Sequence, residues 1–132
     1  MAPISAWLAD KILNKMFSTA HTTFSGNTTG VWAAFHTGDP GKTGTNAPLA
    51  STPRMQVTFG VAGSATAANN ATASVVVSAT GTLTYVTLWD SSDTASGNHL
   101  WYGALSASKV IANVGDTITL AVGALTVSVS TS

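Results

Sequence analysis

The string Gly38-Asp-Pro-Gly-Lys-Thr-Gly44 ends in the Gly-Lys-Thr that closes a phosphate-binding loop, so nucleotide chemistry is the first possibility to test. Such a loop needs a further glycine five residues before Gly41, and that position is His36. It also needs a helix directly afterwards to aim backbone N–H groups at phosphate, whereas Gly44, Asn46 and Pro48 follow. The string reads as a glycine-rich turn leaving a strand. The three histidines, His21, His36 and His99, fall in separate segments and lack the short spacings by which one helix or hairpin presents two ligands to a metal. No Gly-x-Ser-x-Gly elbow exists; Gly60-Val-Ala-Gly63-Ser64 comes nearest and has the wrong spacing. The five acidic residues are all Asp, at turn or helix-surface positions rather than in a pair suited to glycoside hydrolysis. Without cysteine, thiol catalysis, thiolate zinc and redox switching are removed together. Enzyme activity is not expected, and no cofactor or metal is assigned.

Trp7, Trp32, Trp89 and Trp101 could stack on sugar rings, but the last three lie inside apolar strand runs, where large rings fill cores. Trp7 is the one expected in an interface. Five Lys and Arg balance five Asp, and charged residues make up 8% of the chain against roughly 25% in an ordinary soluble domain. Lys11, Lys15, Lys42, Arg54 and Lys109 are scattered, so no basic patch for nucleic acid can be read from them. A neutral, weakly polar surface favours association, as in an oligomer or an assembly subunit. No stretch approaches the ~20 apolar residues that cross a bilayer, and no membrane partner is expected. The start, interrupted by Asp10, Lys11, Asn14 and Lys15, lacks the basic opening of a signal peptide, so synthesis and assembly in the cytoplasm are expected.

At 132 residues the chain is long enough for one domain with its own core. Leu8, Ile12 and Met16 recur every four residues after Pro3, which predicts an amphipathic helix within residues 1–17, packed on the domain or docking beside it. Residues 18–132 then form a single β domain. Val31–Thr37 predicts a strand covered on both faces, and Arg54–Gly60 one with a wet face. The long irregular stretch Gly38–Pro53 predicts a functional loop. Ala62–Ala73, bland in Ala, Thr and Asn, predicts another loop, and Val75–Val77 a strand. From Gly81 onward short period-two runs alternate with turns at Asp90–Asn98 and Asn113–Asp116, the latter relying on positive φ at Gly115 and an Asp116 bond to backbone two residues on. About eight strands follow, and their spacing favours an all-β sandwich or jelly-roll-like barrel.

Several strings in order resemble a family of small tailed-phage virion structural proteins, labelled tail-fibre, minor tail or capsid-decoration proteins. They are Leu8-Ala-Asp-Lys-Ile-Leu-Asn14; Ala34-Phe-His-Thr-Gly-Asp-Pro-Gly41; Pro53-Arg54 leading into Val57-Thr-Phe59; Leu100-Trp-Tyr-Gly-Ala-Leu105; Val114-Gly-Asp-Thr-Ile-Thr-Leu120; and Gly123-Ala-Leu-Thr-Val127. The resemblance implies a structural role on a virion, in many copies, with no catalytic residues. Because no coiled coil or repeat of an extended shaft is present, the expectation is a capsid-decoration protein on the head surface, perched as a homotrimer over junctions of the major capsid protein. A tail or tail-fibre component bound to tail proteins, with glycan binding for host attachment, is the alternative. The expected partner surface comprises Trp7, Leu8 and Phe17 together with Asp39, Pro40, Lys42 and Pro48 of the long loop.

Overall fold

Charge-free runs of aromatic and branched residues become strands in the computed structural model, which describes residues 30–128 together with Ser5, Trp7, Ile12 and Leu13. The helix expected within residues 1–17 lies outside the described residues apart from those four positions, which by themselves make no element. Eight strands follow in order among the described residues: β1 (Val31–His36), β2 (Met55–Val57), β3 (Thr66–Ala68), β4 (Ala73–Val76), β5 (Gly81–Trp89), β6 (His99–Ile111), β7 (Thr117–Leu120) and β8 (Thr126–Ser128). All pairings are antiparallel. They make a four-stranded sheet in the order β2-β1-β5-β6 and two ribbons, β3-β8 and β4-β7. The fold is all-β as expected, but of the two expected architectures, sandwich or jelly-roll-like barrel, the barrel is not formed, because the sheets do not close. No strand pairing joins the four-stranded sheet to either ribbon, so the edge strands β2 and β6 do not close on one another, and β7 pairs with β4.

One face of the large sheet, carrying Ala33, Phe35, Val86, Leu88 and Trp101, joins Met55, Val57, Val75, Val77, Ile118 and Leu125 in a single buried cluster. The ribbons contribute Ala73, Val75 and Ile118, flanked by Val77 and Leu125, to this core, although each has only two strands, which alone would be marginal. The opposite face of the large sheet, set by the register Trp32↔Trp89, Ala34↔Thr87 and His36↔Tyr85, carries aromatic and polar side chains.

Three local expectations change. Ala62–Ala73 is not one loop: Thr66–Ala68 pairs with β8, and Ala73 opens β4. Arg54–Gly60 yields a shorter strand, because Phe59 leaves β1 and bridges to Asn69. Gly115 does take positive φ (94°), but Asp116 Oδ2 accepts the Asn113 N–H rather than bonding two residues on.

β6 runs beyond its apolar start and carries two irregularities against β5. Leu83 faces Lys109 while Tyr85 faces Ala104, so residues 105–108 of β6 stand opposite Thr84 alone, whose hydroxyl is buried without a hydrogen-bond partner. Nearer the hairpin, Leu88 faces Trp101 but Trp89 faces His99. That extra residue turns His99 onto the aromatic face beside Trp89, while Trp101 stays with the core.

Candidate functional site

The aromatic face is roofed by the loop between β1 and β2 and by the 90–98 turn between β5 and β6. The loop is held by its own backbone: Thr37 N–H donates to Ala47 O (2.9 Å), Leu49 N–H to Phe35 O (2.9 Å) and Asn46 N–H to Pro40 O (3.2 Å). Within it Gly44 adopts φ 72°, and Ala47 is left-handed at φ 47° despite its side chain.

Two buried imidazoles tie the loop to the sheet. His36 Nδ1 lies 2.7 Å from Asn46 O and therefore carries the donating hydrogen there. Its Nε2 accepts from the Thr87 hydroxyl at 2.9 Å, and that same oxygen accepts the Trp89 indole N–H at 2.8 Å. The relay Trp89 to Thr87 to His36 to Asn46 is complete with a neutral ring. His99 faces two carbonyls, Lys42 O at 3.0 Å through Nδ1 and Trp101 O at 3.1 Å through Nε2. Burial is the main cause that pushes both imidazoles below their ordinary value, against the opposing pull of these carbonyls; the Arg54 charge lowers both further.

Arg54 locks the second wall. Its guanidinium carbon sits 3.9 Å from the Trp89 ring centre, while Nη1 donates to Ser91 O and Ser96 O, each at 2.9 Å. Burial lowers its pKa, with Asp93 and Asp90 opposing, yet a guanidinium stays charged at any working pH. The Ala95 N–H, and after it the Ser96 hydroxyl, hold the Asp93 carboxyl below its usual range. Between loop and turn lies an open cleft of about 620 Å³, lined by Thr45, Ser51, Arg54, Trp89, Asp93 and Thr94 among others.

The expected partner residues separate. Asp39, Lys42 and Pro48 are exposed on the loop, and Asp39 spends a carboxylate oxygen on the Gly41 N–H. Pro40 is fully buried in its own domain, which removes it from any contact surface: its carbonyl closes the turn onto Asn46. Trp7 is half-buried and lines a second shallow cleft with Lys42, Arg54, Trp89 and His99. Leu8 and Phe17 lie outside the described residues. Trp101 and Trp89 are buried as expected, whereas Trp32 is only half-buried, on the aromatic face. Arg54 covers the Trp89 ring, which is therefore not an open platform for a sugar. His99, Thr87 and Arg54 carry the site, and spacing could not find them because they lie far apart in the chain. Their one sequence signal was a polar or charged residue flanking an apolar run.

Among the described residues no group of three or more His, Asp or similar side chains could hold a metal ion. The polar groups of His36 and Arg54 named above are engaged with backbone or with a neighbouring hydroxyl, and both His99 nitrogens face backbone carbonyls, to one of which a neutral ring donates, so the arrangement holds a shaped surface. A family model described as Podophage GP4 fiber I protein gp80 matches residues 3–128 of the chain. No curated protein matches it.

Proposed function

This chain belongs to the family of the podophage GP4 fiber I protein gp80, and on that premise we propose that it serves, without catalytic activity, as a fibre component of the virion tail. Family membership makes it a phage fibre-type structural protein of the virion, and it favours the tail or tail-fibre alternative over capsid decoration, because the matching family is named for a fibre. The lack of a coiled coil or shaft repeat does not argue against this. A compact β domain suits an attachment point or a tip, with the shaft supplied by other chains.

The match across residues 3–128 is the observation that carries the reading. Supporting it is the ordered loop over the aromatic face, which presents Asp39, Lys42 and Pro48 as a fixed outer surface. Its partners in this reading are neighbouring tail proteins and copies of the same chain, with no nucleic acid or membrane. The test is immunogold labelling of intact parent virions with an antibody to this chain. Label confined to tail fibres is expected; label spread over the head overturns the assignment.

A further inference from the structure

Ser5 and Trp7 are seated on parts of the molecule far from them in sequence. Ser5, 1% exposed, donates its N–H to Leu100 O at 3.2 Å, at the start of the edge strand β6. Trp7, half-buried, walls the second cleft together with Lys42 and Thr43 of the β1–β2 loop, Arg54, and His99. The seat is therefore built from the loop, the start of β2 and the start of β6. We propose that residues 5–13 are exchanged between copies, so that the seat on one protomer is filled by Ser5 and Trp7 of its neighbour.

The Ser5 bond and the Trp7 wall are the same contacts whether the segment comes from its own chain or from another, which is why exchanging a segment is a low-cost route to an oligomer. Reach permits it. Residues 14–29 join Leu13 to Gly30, and a connection of that length spans at most roughly 55 Å, whereas a domain of 132 residues is about 36 Å across. The rest of the segment favours a second copy. With Ser5 and Trp7 in place on their own domain, Leu13 is still 54% exposed and Ile12 only half-buried. Both belong to the apolar series Leu8, Ile12, Leu13, Met16 and Phe17, so closure within one chain leaves apolar area in water that an adjoining domain covers. Zero net charge removes the repulsion that keeps copies of a strongly charged protein apart.

Exchange rests on the self-association included in the proposed fibre role and on no other part of it. Gold label on the head would relocate the assembly without touching exchange, and failure of the exchange experiment leaves the fibre assignment standing.

The full chain, refolded from an equal mixture of isotope-labelled and unlabelled copies, is measured by light scattering and then by an isotope-filtered NOE spectrum, which records proximity between copies alone. An oligomer is expected, with the Trp7 ring protons showing NOEs to His99 and Thr43 of a different copy. Trp7→Ala is expected to raise the dissociation constant of that oligomer at least roughly tenfold. The NOE measurement uses the unaltered chain, so it decides even where the variant fails to fold. An oligomer whose Trp7 NOEs arise only within one copy overturns exchange and leaves self-association in place. A monomer overturns both, and a Trp7→Ala chain that folds and associates as tightly as the native one also overturns exchange.

Discussion

Gly44 shows how much a single position decides. A Cβ there would stand 2.8 Å from the His99 ring, in a backbone with φ 72° that side chains rarely adopt. Gly44→Ala is therefore expected to cost about 2 kcal/mol in urea unfolding, from strain and from displacing the imidazole that holds Lys42 O. Thr87 is the second such position. Its hydroxyl serves both the Trp89 N–H and His36 Nε2, and Thr87→Val keeps the shape while leaving two buried polar groups without a partner. A loss of about 2 kcal/mol is expected in the same measurement. Neither role shows in the sequence, where Thr87 reads as one more β-branched strand residue and His36 as the residue that spoils a phosphate loop.

At the scale of elements, the short strands depend on side chains that bind corners together. Asn69 is 1% exposed and is fully engaged: its amide donates to Ala71 O and Ala121 O, and its Oδ1 accepts the Leu125 N–H. It thereby joins the β3–β4 corner to the chain on either side of the β7–β8 turn. Asn69→Ala strands those backbone groups and is expected to cost about 3 kcal/mol, with hydrogen exchange rising first in β3 and β8. A smaller loss spread evenly over all strands would show that the corner is not held this way. The alternating run Met55–Val57 was legible because its periodicity matches the face it buries, and Val31–His36 because a charge-free apolar run favours a strand; its expected cover on both faces is only partial, since Val31, Trp32 and Ala34 are half-buried. β3 was not, since Thr66–Ala68 has no pattern of its own and becomes a strand by pairing with β8.

For the whole molecule, zero net charge and scattered basic residues lead to the expectation, under the proposed fibre role, that contacts in the virion rest on shape and apolar area. Washing virions with about 1 M NaCl, where the screening length falls to about 3 Å, is expected to leave the chain attached. Release under those conditions would mean that charge pairs such as those open to Asp39 and Lys42 carry the attachment.

Composition and period, which depend on neighbours in the chain, were enough to establish the all-β class and the main turns, while the order of several short strings carried the resemblance to phage structural proteins. Tertiary structure decided what depends on partners distant in sequence. It paired β7 with β4 and β3 with β8 in ribbons separate from the four-stranded sheet, so no barrel closes. It buried Pro40 and left Trp32 half-exposed. It also brought His36, Thr87, His99 and Arg54 to one face, since a bulge of one residue in β6 decides on which side of the sheet His99 stands.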